Sequence, residues 1–101
     1  MATVYILHSE NIDSYYIGSC KHLEIRLEEH NNKKYKNSYT AKAEDWEVVF
    51  RIDELTFVQA RRIERHIKNM KSRKYIQNLI QYPEMLIKLK NIYLCDEDST
   101  Y

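Results

Sequence analysis

Tyr15-Tyr16-Ile17-Gly18 is the stretch from which the rest of the chain is read. Gly18 is the only glycine in 101 residues, where an average chain of this length carries roughly seven. A chain that avoids glycine elsewhere uses this one for a positive φ or for a close backbone approach. Arg26 follows eight residues later and His30 four beyond it, and on a helix i and i+4 share a face. Upstream, Thr3-Val4-Tyr5-Ile6-Leu7 places another tyrosine in an apolar run. Far downstream, Glu64 stands in a basic segment.

Residues 3–8 read as a buried strand. A polar turn over 8–13 and a second strand over 14–18 make the pair a hairpin. The spacing predicts a helix from Ser19 or Cys20 to about His30. On its 100° wheel Leu23 and Leu27 face the core, with Arg26 and His30 beside that stripe. An arginine held against a core edge needs a partner, either a structural acid or a substrate phosphate. Residues 31–45 have no apolar periodicity and read as a loop. In it Lys33, Lys34, Lys36 and Lys42, interleaved with Tyr35 and Tyr39, read equally as a solvated loop or as a track for a nucleic-acid backbone with a stacking ring.

Trp46, Val48, Phe50 and Ile52 alternate as in a third strand. Thr56 and Gln59 make a capping-box pattern for a helix to about Met70 with Ala60, Ile63, Ile67 and Met70 as its stripe. Arg62, Arg65, His66 and Asn69 face away from that stripe, and Glu64 lies at its edge. There it can pair with Lys68 at i+4, for a few tenths of a kcal/mol, or reach a cleft. Ser72 caps a helix over 73–81 with Tyr75, Ile76, Leu79 and Ile80 inward. Pro83 opens a last short helix packed by Met85, Leu86 and Leu89. The order argues an α+β domain with a small three-stranded antiparallel sheet flanked by three to four helices, over residues 1–92, with an acidic tail over 93–101.

Length bounds the chain to one domain. Charged residues make up 31% and the mean hydropathy is −0.68, as expected of a soluble, cytoplasmic protein. No apolar run nears the roughly 18 residues of a membrane span, and Met1-Ala2-Thr3-Val4 has no signal-peptide pattern. Cys20 and Cys95 are too few for a disulfide framework. With His8, His22 and His66 they lack the paired spacing of a zinc site. The net charge of +1 is unevenly spread. Residues 33–42 carry four lysines and no acid, and residues 57–82 carry seven Lys/Arg against Glu64 alone. Such clusters fit a phosphate backbone or a solvated helix face.

Phosphodiester cleavage needs an activated water, charge stabilisation at phosphorus and help for the leaving oxygen. One carboxylate holds two metals poorly, and no phosphate-binding glycine loop is present. One metal with tyrosines is a coherent alternative. A phenol is a poor base at its free pKa of about 10, but a nearby cation or imidazole can make it useful.

Tyr5, Tyr16-Ile17-Gly18, Arg26, His30 and Glu64, in this order across roughly residues 3–82, resemble the GIY-YIG nuclease family. The second signature motif is intact, whereas Thr3-Val4-Tyr5 keeps only the tyrosine of the first. The resemblance implies Tyr5 as general base with help from His30, and Tyr16 as hydrogen-bonding partner of the water or phosphate. It further implies Arg26 on the phosphoryl oxygens and Glu64 holding one Mg²⁺ or Mn²⁺. Gly18 would turn the backbone beside the phosphate, or else is a plain strand-end turn. Ser19, Lys68, Lys71 and Arg73 join the candidate substrate contacts. Asn78 is either the family's later asparagine or a helix surface residue. The chain resembles the short single-domain bacterial branch, related to the nuclease domain of excision repair, to junction cutters and to phage homing enzymes.

The expectation is therefore a DNA endonuclease of low intrinsic specificity, a monomer or weak dimer. It would be nucleoid-associated if bacterial, with room for a targeting protein partner. A binding module of the same fold and an RNA nuclease are the alternatives.

Overall fold

The computed structural model describes residues 1–31 and 42–94. Its elements are β1 (Ala2–Ser9), β2 (Ser14–Cys20), α1 (Leu23–Asn31), β3 (Glu47–Leu55), α2 (Phe57–Met70), α3 (Arg73–Gln81) and α4 (Pro83–Leu94). The strands form one antiparallel sheet in the order β2-β1-β3. This is the expected α+β architecture with four helices.

β1 is central, and every residue from Ala2 to Leu7 is buried. A strand so covered on both faces reads as a continuous apolar run rather than an alternating one. Alternation then divides its side chains between two cores. Val4 and Ile6 join Phe50, Ile52, Ala60, Ile63, Ile67, Ile76, Leu79 and Leu89 in an aliphatic core under α2, α3 and α4. Tyr5 and Leu7 join Cys20, Leu23, Ala43 and Trp46 on the opposite face, with Tyr16 and Leu27 packed against them.

The helix starts are set by local chemistry. Gln59 N–H donates to Thr56 Oγ1 at 3.2 Å and Thr56 N–H donates to Gln59 Oε1 at 3.0 Å, closing the expected capping box. Tyr75 N–H donates to Ser72 Oγ at 3.1 Å, so Ser72 caps α3 as its position predicts. Lys71 takes a left-handed conformation with φ 48° and ends α2.

Three expectations need correction. The first helix begins at Leu23, not at Ser19 or Cys20. Those two residues remain in the ladder, paired with Val4 and Thr3. Met70 is 45% exposed and Ile80 39% exposed. Ile80 lies at the rim of its helix stripe, whereas Met70 lies in line with Ile63 but is the last residue of its helix. The final helix is 12 residues long rather than short.

Asn31, at the end of α1, clamps the backbone of Trp46. Its Oδ1 accepts from Trp46 N–H at 2.8 Å and its Nδ2 donates to Trp46 O at 3.1 Å. Ser9 Oγ and Asn11 N–H both donate to Asp45, at 2.5 and 3.1 Å. These bonds tie the segment before β3 to α1 and to the hairpin, and so hold the second core closed.

Candidate active site

Gly18 pairs directly with Tyr5 across β1 and β2, and its φ is not positive. Close approach is therefore what this position demands. A Cβ here would lie 2.6 Å from Tyr5 Oη, 2.7 Å from Tyr5 Cζ and 3.1 Å from Tyr16 Cε2. The expected turn beside a phosphate is not formed, because Gly18 continues the strand.

Over this glycine three rings meet. Tyr5 and Tyr16 have centroids 6.4 Å apart, and Tyr16 and His30 5.1 Å. Tyr5 Oη lies 3.2 Å from His30 Nε2. Burial, with Tyr16 next, pushes the Tyr5 phenol above its ordinary pKa. Burial, with Arg26 next, pulls His30 below its ordinary value. Both shifts favour a neutral phenol and a neutral imidazole, joined by one hydrogen bond. Tyr5 is 1% exposed and His30 3%, whereas Tyr16 is half-buried. A general base must reach the proton it removes. The burial of Tyr5 and the upward shift of its phenol both oppose the proton-abstracting role expected of it.

Beside the rings a cleft of about 680 Å³ opens between α1 and α2. Ser19, Cys20, Lys21, His22 and Arg26 form one wall, and Arg61, Glu64, Arg65, Lys68 and Asn69 the other. Among the described residues five cations (Lys21, Arg26, Arg61, Arg65, Lys68) thus line it against two carboxylates, Glu29 and Glu64. Ser19 Oγ donates to Glu64 Oε1 at 2.5 Å and Lys68 Nζ to Glu64 Oε2 at 2.6 Å. The edge strand and α2 are therefore bridged at the carboxylate. Arg26 Nε is 3.7 Å from Glu29 Oε1, so a structural acid stands beside the arginine within the cleft. The Cys20 thiol is pushed up by burial, which keeps it in its inert protonated form.

The sequence spacing brings Arg26, Ser19, Glu64 and Lys68 together in this cleft, with Tyr5, Tyr16, Gly18 and His30 in the ring cluster beside it. Other candidates fall elsewhere. Arg73 donates to the Asp13 carbonyl at 2.9 Å and to the Asp13 carboxylate, and its guanidinium sits 5.1 Å over the Tyr15 ring. It clamps α3 to the hairpin turn and does not line the cleft. Lys71 is the exposed left-handed cap of α2, and Asn78 is half-buried on α3. Neither lines the cleft among the described residues. Lys33, Lys34, Lys36 and Tyr39 lie outside the described residues.

Arg61, Arg65 and Asn69 were legible only as residues facing away from the core or as members of a basic run. Their signal is spacing, since 61, 65 and 68 fall at three- and four-residue steps beside Glu64. Lys21 and His22 carry no such signal, because the end of β2 decides where they point.

Among the described residues no three His, Cys, Asp or Glu side chains form a metal-holding group. The oxygens of Glu64 and Ser19 are hard donors of the kind Mg²⁺ and Mn²⁺ accept, and Mg²⁺ commonly takes one or two carboxylates and keeps its remaining waters. Lys68 holds one of these oxygens. Its side chain is 48% exposed, so it can give way at little cost. The donor set fits a single ion.

Neither a curated protein nor a solved structure matches the chain. The family model for the GIY-YIG catalytic domain matches residues 1–78, the segment that builds the sheet, the ring cluster and both walls of the cleft. The chain therefore belongs to the GIY-YIG catalytic domain family, a family of nucleases that generally depend on a divalent metal.

Proposed function

We propose that this protein is an endonuclease that hydrolyses DNA phosphodiester bonds in the cleft between α1 and α2. The observation that carries this reading is the placement of Glu64 opposite Arg26 in a cleft walled by five cations. A polyanion is drawn to that wall. Arg26 offers a planar donor fork to the phosphoryl oxygens where negative charge builds up. A divalent ion held by Glu64, with Ser19 beside it, would supply Lewis-acid stabilisation of the leaving 3′ oxygen. Tyr16 is the half-buried phenol of the ring cluster and meets the attacking water. The Tyr5–His30 hydrogen bond fixes the imidazole against which Tyr16 packs, which makes Tyr5 a positioning residue.

A non-cleaving nucleic-acid-binding module is the second reading. The Lys68 ammonium 2.6 Å from Glu64 favours it, because a permanent pair there would exclude the metal. Magnesium-dependent cleavage assays on single-stranded, duplex and branched DNA and on RNA decide between the two. Cleavage of DNA that is lost in EDTA and in a folded Glu64→Gln protein is expected. Binding without cleavage under all these conditions would overturn the enzymatic reading, and preferential cleavage of RNA would overturn the choice of DNA.

A further inference from the structure

A second cleft, of about 310 Å³, is lined by Arg62, Arg65, His66, Asn69, Met70 and Tyr93. It shares Arg65 and Asn69 with the first cleft. On the 100° wheel of α2 the residues outside the buried stripe run in one arc from Glu64 and Lys68 through Arg61, Arg65 and Asn69 to Arg62 and His66, and Met70, in line with the stripe, is exposed because it is the last residue of the helix. The two clefts are thus the two ends of one surface wrapped over α2, joined at the Arg65 and Asn69 that they share. They differ in chemistry. The first is walled by cations around a carboxylate. The second has an aromatic and thioether floor under a rim of two arginines and an amide.

The floor is built in place. His66 Nδ1 and Tyr93 Oη lie 2.9 Å apart. Their rings meet edge to face with centroids 5.7 Å apart, and Tyr75 packs behind His66 at 6.1 Å. Tyr93 comes from α4, outside the residues 1–78 that the family model covers. Met70, left exposed at the end of α2, supplies a polarisable apolar surface of the kind that packs on aromatic rings. Aromatic platforms beside a positively charged groove are how single-stranded nucleic acid is held without sequence preference.

We propose that this second cleft is a nucleotide subsite. In it His66, Met70 and Tyr93 receive an unpaired base beyond the two nucleotides that flank the cleaved phosphate, while Arg62 and Arg65 hold the intervening backbone. The inference rests on the proposed nuclease reading for the direction of the strand, and it names the substrate class as single-stranded or locally unpaired. A fully paired duplex cannot offer a base face to the platform without unstacking.

The test is equilibrium binding by fluorescence anisotropy in EDTA, with labelled oligothymidylates of two to eight nucleotides and a blunt duplex. Wild-type affinity should rise with length and exceed that for the duplex. Tyr93→Ala and Met70→Glu should each weaken the longer oligomers by roughly tenfold, the effect of losing one stacked base, and leave the dinucleotide unchanged. Met70 is exposed, so its variant tests the subsite even where Tyr93→Ala loosens α4. Unchanged binding of the long oligomers by a folded Met70→Glu protein, or tighter binding of the duplex, would overturn the subsite. Repeating the wild-type assay with Mg²⁺ separates the two readings. Binding with the expected variant losses but no cleavage overturns the nuclease and keeps the subsite. Cleavage with variants that bind unchanged does the reverse.

Discussion

The two faces of the sheet are built to different rules although one strand, β1, feeds both. Val4 and Ile6 point into an aliphatic core closed by three helices, where Ile63 and Ile67 are 0% and 1% exposed. Its contacts are non-directional, and any well-packed aliphatic set of the same volume would serve. Tyr5 and Leu7 point the other way, into a core closed by the single nine-residue α1 and the Trp46 segment. There a phenol, an imidazole and a second phenol are fixed by a hydrogen bond and by the missing Cβ of Gly18. The first face supplies stability. The second holds titratable groups in one geometry beside an open cleft, which small changes in shape disturb.

That contrast can be broken from either side. On the aliphatic face, Ile63→Ala should cost about 2–5 kcal/mol of stability through the cavity it leaves. Read by denaturant unfolding and by single-turnover cleavage, it should leave the rate per folded molecule near wild type. A large loss of rate at temperatures where the protein stays folded would show that the faces are not separable. On the ring face, Gly18→Ala must push the Tyr5 phenol or the Tyr16 ring aside. Overpacking of this kind typically costs about 1–3 kcal/mol. Unlike Ile63→Ala it should also slow cleavage in the folded protein, and an unchanged rate would show that the ring geometry is dispensable.

The smallest effect is the pH dependence of stability. Burial lowers the pKa of His30 in the fold, so the unfolded chain takes up its proton first, near the ordinary value of about 6.5. Stability should be flat from that pH up to about 8, above which the unfolded chain loses the Cys20 and Tyr5 protons first, and should fall as pH drops below about 6.5. Asp13, Asp45 and Asp53 are also held below their ordinary values, but their losses come near and below about pH 4. His30→Gln should remove the upper window and leave the lower one. A wild-type curve with no slope in the upper window, below about pH 6.5, would contradict a buried neutral imidazole.

The fold was legible because its signals are local. Thr56 with Gln59, Ser72 before α3, and the alternation of β3 each act over a few residues. Where the reading erred, a distant partner decided. Ser19 and Cys20 stay extended because β1 pairs with them. Ile80 is exposed because three helices share one aliphatic core and leave its side uncovered. In the site, the order of Tyr16, Gly18, Arg26, His30 and Glu64 was visible, since each sits on a recognisable element. The difference in burial between the two tyrosines was not. Tyr5 and Tyr16 look alike in sequence, and only the central position of β1 and the edge position of β2 bury one and half-expose the other. Arg73 likewise reads as one more cation in a basic run until the hairpin turn, sixty residues away in the chain, claims it.

The most direct test of the account is the single-turnover rate of Mg²⁺-dependent DNA cleavage by Tyr16→Phe, measured beside Tyr5→Phe. If Tyr16 meets the attacking water, its variant should be slower by roughly 10²–10⁴-fold with its stability little changed. Tyr5→Phe should lose mainly a buried hydrogen bond, worth about 0.5–1.5 kcal/mol of stability, with the smaller loss of rate. A Tyr16→Phe protein that cuts within a few-fold of wild type while Tyr5→Phe is inactive would contradict the account and return the chemistry to the buried phenol.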